Sequence, residues 1–201
     1  MASAPIVYLA SASPRRSQLL AQIRVPHRVW PMDVNEERRP GEAPSEYVSR
    51  LAAEKARTLW ARLSPDERLP VLGADTTVAL DDEIFGKPRD ADDAVAMLLR
   101  LAGKTHRVFT AVALCWRQGC DLRLSVSEVT FAKLGAADCL AYWRTGEPVD
   151  KAGGYAVQGL AAAFIVRIAG SYSGIMGLPL AETAELLRAT GWSCLRPESD
   201  T

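Results

Sequence analysis

The chain has 201 residues, 48% of them hydrophobic, and its 24 Lys plus Arg are balanced by 24 Asp plus Glu. That length fits one compact domain or two small lobes sharing a cleft, and the composition excludes a disordered, collagen-like or coiled-coil chain. A formal net charge of zero argues against a duplex nucleic-acid binder, but a local cluster of cations can still serve a small anionic ligand.

Taken in order, residues 6–10 predict a first strand and residues 14–22 a helix, with Ser13 as N-cap and Pro14 at the first helical position. A short strand at 28–32 leads into the polar loop DVNEERRPGEAP. The next helix starts after Pro44 or Ser45 and runs to Leu59 or beyond, because Val48, Leu51, Ala52, Ala56 and Leu59 keep helical spacing. LPVLGADTTVAL predicts a buried strand with a polar break at Asp75, Thr76 and Thr77, followed by a tight loop at 85–88. Asp90 can cap a helix over 91–101. Residues 107–116 and 122–131 read as a β-hairpin around Gln118 to Asp121. A helix over 136–144, the loop TGEPVDKAGGYAVQG, a strand near 163–168 and a last helix over 180–190, closed by Gly191, complete the chain. Interleaved strands and helices predict an α/β fold with a mixed β-sheet flanked by helices.

The longest apolar stretch, residues 159–166, is far short of the roughly 20 residues needed to span a bilayer, so no membrane segment is expected. The N-terminal apolar run has its arginines after it, the wrong order for a secretory signal, and a cytoplasmic placement is expected. The cysteines are Cys115, Cys120, Cys139 and Cys194. None forms a C-x-x-C pair and the histidines are His27 and His106, so no structural zinc site is expected. Cys115 and Cys120 can face each other across the hairpin, but free thiols are the expectation in a reducing compartment. Phosphate-loop, dinucleotide-binding and nucleophile-elbow motifs are absent, and two histidines make a Ser-His-Asp triad improbable. What remains is carboxylates, lysines and arginines, a set suited to metal-assisted chemistry on a phosphate compound.

Three places concentrate such residues. Arg15 and Arg16 fall in the first turn of the first helix, where free N–H groups and the positive end of the dipole favour anions. Two arginines there make sense if a phosphate ligand sits against them, and otherwise they point into solvent. Asp75 ends an apolar run, and a carboxylate there needs a partner, a metal or a reaction, unless it merely caps a turn. Glu36 and Glu37 sit in a polar loop, Lys55 near an apolar helix face, Lys87 in a tight loop, and Asp150 and Lys151 beside a Gly-Gly pair. Taken alone, Lys55 reads as a lysine stem laid along apolar surface.

Together these motifs resemble a known family. LASASPRRSQLL, EYVSRLAAEKA, GADTTVAL, GKPRDADDAVAMLLRLAGKTHRVFTAVAL, GEPVDKAGGYAVQG and GSYSGIMGLPLAET resemble, in order, the blocks of the Maf-type nucleoside triphosphate pyrophosphatases, over nearly the whole chain. The resemblance implies a single domain over residues 1–201 with two lobes around a central cleft, akin to the inosine triphosphatase type. It implies hydrolysis of a nucleoside triphosphate to the monophosphate and pyrophosphate with a divalent metal cation, Mg2+ or Mn2+.

Carried over by position, Asp75 matches the family's proton acceptor, and Ser11, Arg15 and Arg16 match its phosphate-binding motif. Glu36, Lys55 and Lys87 match polar residues of the cleft, with Glu36 and Asp75 as the implied metal carboxylates and Glu37 an alternative to Glu36. Thr76 and Gln158, with Arg15, match positions that separate substrate classes. The YAVQG and GSYS blocks resemble the branch acting on dTTP and UTP. Ala161-Ala162 departs from the pattern where glycine is expected. The rival readings are a 7-methyl-GTP-type enzyme of the same family and a nucleotide-binding regulator of septum formation. The intact set Asp75, Lys55 and Lys87 favours an enzyme. No nucleic-acid or membrane partner is expected, and a homodimer stays open.

Overall fold

The computed structural model describes residues 6–194. The chain runs β1 (Val7–Leu9), α1 (Pro14–Gln22), β2 (His27–Val29), α2 (Pro44–Arg62), β3 (Val71–Leu80), β4 (Glu83–Phe85) and α3 (Ala91–Leu101). It continues through β5 (Thr105–Trp116), β6 (Gly119–Phe131), α4 (Ala136–Arg144), β7 (Ile165–Ala169), α5 (Tyr172–Met176) and α6 (Leu180–Arg188).

Local chemistry explains the helix starts. Pro14 and Pro44 sit where the first turn has no use for an N–H. The Asp90 carboxylate accepts the N–H of Asp93 at 2.8 Å to open α3. Asp138 reaches back to the N–H of Gly135 at 2.9 Å to open α4. Ser13 precedes α1 as expected, but its side chain caps nothing; its own N–H donates to Ser11 Oγ at 3.2 Å.

The described strands form one mixed sheet in the order β2-β1-β3-β5-β6-β7, with β4 also on β3. β1 runs parallel to β2 and β3, and the other pairs are antiparallel. One face packs on α2 through Val48, Leu51's neighbours Ala52 and Ala56, Phe109 and Ala111. The other packs on α1 and α6 through Leu19, Leu20, Leu72, Leu186 and Leu187. A third cluster, with Val78, Leu98, Leu101, Phe131 and Tyr142, lies under α3 and α4. The predicted α/β architecture is the observed one.

Several details depart from expectation. β3 shows no break: Asp75, Thr76 and Thr77 pair with Ala111, Thr110 and Phe109 of β5. Ladder bonds to a neighbour 32 or more residues away carry the backbone straight through its polar stretch. β2 lies at His27–Val29, earlier than 28–32, and residues 83–85 add a short strand before the tight loop. The five-residue α5 had no counterpart in the predicted elements. The hairpin register places Cys115 opposite Cys120 with Cα atoms 4.0 Å apart, and the two form a disulfide, against the expectation of free thiols. Cys139 and Cys194 are free. Among the described residues no helix is long and apolar enough to cross a membrane.

The edge of β3 facing away from β5 is shared. β1 pairs with Val71 and Leu72, and β4 pairs with Val78 to Leu80. Residues 73–77 between them have no strand on that side. The gap separates β1, β2 and α1 from β4 and α3, and it leaves Asp75 at an opening along this edge of β3.

Gly73 sets how closely α2 lies on β3. A Cβ there would strike the backbone of α2, with Ala56 N only 2.7 Å away. Gly73 and Asp75 share one face of the strand, so the approach that needs glycine at 73 also brings Lys55 of α2 onto Asp75. Gly73→Ala should therefore cost roughly 2–3 kcal/mol by forcing helix and sheet apart. Urea unfolding measures it; a loss under about 0.5 kcal/mol would show that α2 can shift freely.

Candidate active site

A cleft of about 1000 Å³ opens at this gap. Its walls are the β1–α1 turn, residues 31–36, α2, the middle of β3, the Gly86-Lys87 turn, residues 150–158 and the end of α5. The first wall lies at the carboxyl end of parallel strand β1, where ligands of α/β sheets gather. Ser11, Arg15, Arg16, Glu36, Lys55, Asp75, Thr76, Lys87 and Gln158 all line it. Glu37 does not: its carbonyl accepts from Arg50 and its N–H donates to Asn35 Oδ1, so Glu36 is the carboxylate facing the cleft.

At the floor, Lys55 Nζ donates to Asp75 Oδ1 and to Glu36 Oε1, both at 2.7 Å. Lys55 and Asp75 are 8% and 9% exposed, so this lysine is no stem with its head in water. Among the described residues Asp75 Oδ2 has no hydrogen-bond partner, and the ammonium keeps a third N–H for a ligand. The two carboxyls are pushed in opposite directions. Burial raises that of Asp75 above the ordinary aspartate value, against the pull of Lys55 and Arg16. Glu36 is more exposed; its burial also pushes upward, but Lys55, Lys87 and Arg16 outweigh it and hold the carboxyl low. Such a split assigns different tasks to two neighbouring carboxylates.

The two arginines also divide. Arg16 donates to Gly177 O at 2.7 Å, Ser11 Oγ at 2.9 Å and Thr76 Oγ1 at 3.3 Å, tying α1 to β3 and to the end of α5. Arg15 has no hydrogen bond or ion pair among the described residues, and burial pulls its guanidinium down. Lys87 is likewise unpaired. Lys151 donates only to the carbonyl of Val149 at 3.2 Å, and burial and then Arg15 lower its ammonium. Cations left together outside any ion pair among the described residues form a site for an anion. In the sequence Lys151 had no role beyond its glycine-rich loop, and none fell to Met176 and Gly177, which lie in the GSYSGIMGLPLAET block and close the cleft from α5.

Glu36 and Asp75 offer two hard oxygen donors, brought together by the Lys55 ammonium that both contact. That set suits Mg2+ or Mn2+, which bind through one or two carboxylates and take their other ligands from phosphates and water. No group of three or more potential metal-ligating side chains occurs among the described residues, so a cation here depends on the substrate for the rest of its shell.

Glu36 is held by its neighbours' backbone. Tyr47 Oη donates to Glu36 O at 2.9 Å, and Arg50 donates to Glu37 O at 3.0 Å and Asn35 O at 3.4 Å. Arg50 is itself fixed by Glu42 at 2.6 and 2.9 Å. The Arg50 guanidinium holds the Glu42 carboxyl down to about 2. A carboxyl depressed in the fold adds stability above its unfolded value and loses it as pH falls through its folded value. Glu42→Gln should lower the midpoint of thermal unfolding by about 5 °C at neutral pH. The gap to wild type should close as pH drops from about 4.5 toward 2. A gap independent of pH would remove the charge from the explanation.

The family described as Maf-like protein matches residues 6–190. A protein of Saccharophagus degradans named dTTP/UTP pyrophosphatase is 51% identical over 185 residues, 91% of this chain and 88% of its own. Its namesake in Xanthomonas campestris pv. campestris is 52% identical over 188 residues, 92% and 99% of the two chains. One in Alkalilimnicola ehrlichii is 53% identical over 188 residues, 91% and 92%. Among solved structures, the Staphylococcus aureus Ham1 protein overlaps 63% of this chain and 71% of its own at TM-score 0.45 and 15% identity, too slight a likeness to argue from. With one profile matching almost every described residue and relatives at half identity across both lengths, the chain belongs to the Maf family.

Proposed function

We propose that the protein hydrolyses dTTP and UTP to the nucleoside monophosphate and pyrophosphate. One observation carries the reading: Asp75 has one oxygen bound to Lys55 and the other free, at the floor of a cleft rimmed by unpaired cations. The relatives named dTTP/UTP pyrophosphatase support the choice of substrate.

In this reading a water oxygen bonds to the α-phosphorus, the α–β anhydride bond breaks and pyrophosphate leaves. Asp75 Oδ2 takes the proton of that water, and its raised affinity for protons suits a general base. Lys55 orients Asp75 through Oδ1 and offers its third N–H to a phosphate oxygen. Arg15, Lys87 and Lys151 neutralise the charge that grows on the leaving pyrophosphate. Ser11 Oγ accepts from Arg16 and from the N–H of Ser13, so its hydroxyl proton is left for the ligand. Arg16 steadies this wall more than it binds. Glu36 and Asp75 would hold a divalent cation, which supplies charge neutralisation and Lewis acidity at the phosphates. Gln158 is exposed in the cleft without a protein partner, and its amide can donate to and accept from the edge of a pyrimidine. The substrate is a small nucleotide of the cytoplasm, and no nucleic acid or membrane takes part.

Assay with Mg2+ or Mn2+ should yield monophosphate and pyrophosphate from dTTP and UTP, ahead of CTP and GTP. Nucleoside diphosphate with orthophosphate would place the cut at the wrong bond, and binding without turnover would make the protein a nucleotide sensor. Asp75→Asn should lower kcat by about 10²–10⁴-fold in a variant that still folds, because Lys55 keeps Glu36 as a partner, but with a lowered thermal midpoint. Near-normal turnover in that variant would remove Asp75 from the chemistry.

A further inference from the structure

The segment between α4 and β7 carries Gln158, and hydrogen bonds pin it on both sides of that residue. On the near side, Tyr155 Oη bonds His106 Nε2 at 2.9 Å, and the N–H of Ala156 donates to Tyr142 Oη at 3.1 Å. On the far side, the Glu147 carboxylate accepts the N–H of Leu160 at 2.8 Å and of Ala161 at 3.2 Å. Tyr142 Oη donates to Glu147 Oε1 at 2.7 Å and so joins the two sides. At Gly159, between them, a Cβ would run into the Glu147 carboxylate, so the backbone lies directly on it. Burial pushes the Glu147 carboxyl up, but the bonds from Tyr142, Leu160 and Ala161 outweigh it and keep the group ionised. Bonds to an ionised acceptor are the stronger kind; the far side of the loop has two, from Leu160 and Ala161, and the near side reaches the same carboxylate through Tyr142.

Glu147 is not among the residues lining the cleft, so it meets no substrate. Gln158, by contrast, stands exposed between the pinned residues, and its side chain has no hydrogen bond among the described residues. We infer that Glu147 is a positioning residue for base selection: with Tyr142 it fixes the backbone on both sides of Gln158 and so aims its side-chain amide at the base. This rests on the reading of the cleft as a pyrimidine nucleoside triphosphate site. A hydrogen-bonding edge discriminates only while its donor and acceptor stay in place, and their loss of aim affects the base that uses them and spares the others. Arg15, Lys55 and Lys87 belong to other walls and are untouched by the change; Lys151 shares this segment and feels the Glu147 charge, and what it loses falls equally on all four substrates.

The test is steady-state kinetics with dTTP, UTP, CTP and GTP for the wild type, Glu147→Ala, Glu147→Gln, Gln158→Ala and the double variant Glu147→Ala/Gln158→Ala. Thermal unfolding is followed in parallel. Glu147→Ala should lower kcat/KM for dTTP and UTP roughly 10- to 100-fold, mostly through KM, and change GTP little. Glu147→Gln keeps an acceptor and should lose less. The double variant should be no worse in base preference than Gln158→Ala, because both substitutions remove one contact. An equal fall across the four substrates, or additive losses in the double variant, would overturn the positioning role. If Glu147→Ala does not fold, the dTTP-to-GTP ratio of Glu147→Gln decides in the same way. A wild type with no pyrimidine preference would overturn the substrate reading beneath it, whereas a preference that the variants retain would overturn the role of Glu147 alone.

Discussion

A lysine ammonium and an aspartate carboxylate, both more than nine-tenths withdrawn from water, meet at 2.7 Å in the middle of a β-strand. Neither charge is tolerable there alone. Much of the fold is what it takes to keep them together. Glycine at 73 lets α2 settle on β3 close enough for Lys55 to reach. Alanines at 52 and 56 keep the contact face of the helix shallow on either side of that lysine. β1 and β4 share one edge of β3 and leave the stretch with Asp75 open between them. The pair is thus buried by its own helix and sheet and exposed to a ligand from one direction only.

The same cluster explains how a chain of zero net charge can attract a polyanion. Lys55 is balanced by Asp75 and Glu36, while Arg15, Arg16, Lys87 and Lys151 have no ion pair among the described residues. The remaining charges are spent on the surface in pairs such as Arg89 with Asp93, Arg100 with Glu83, and Arg123 with Glu185. Charge is balanced over the molecule, and in this cleft four of the cations stand outside any ion pair among the described residues. The Glu42–Arg50 clamp adds to this indirectly, by holding the backbone on both sides of Glu36 and so placing the second carboxylate at the ammonium.

Elements with local signals were legible in the sequence. α1, α3 and α4 lie at the predicted residues because Pro14, Asp90 and the periodic apolar positions act within a few residues of themselves. The site residues were legible as chemistry that lacked a reason, and the family resemblance supplied their grouping. What stayed hidden was non-local. Asp75 to Thr77 read as a break because the ladder that carries them comes from β5. Lys55 read as an ordinary surface stem because its partner is 20 residues away. Cys115 and Cys120 depended on a register that only the paired strands fix. Nothing in the sequence singled out Glu147, since its partners Leu160 and Ala161 lie 13 and 14 residues on.

The account stands on Asp75 being a carboxylate whose proton affinity is raised by burial while Lys55 restrains the rise. Carbon-13 NMR of aspartate-labelled protein, titrated with and without Lys55→Gln, reads this directly, with Asp75→Asn assigning the resonance. The Asp75 carboxyl should titrate above the ordinary aspartate value of 3.8, and higher still when Lys55 is replaced. Titration at or below the ordinary value, or no upward movement on loss of Lys55, would contradict it.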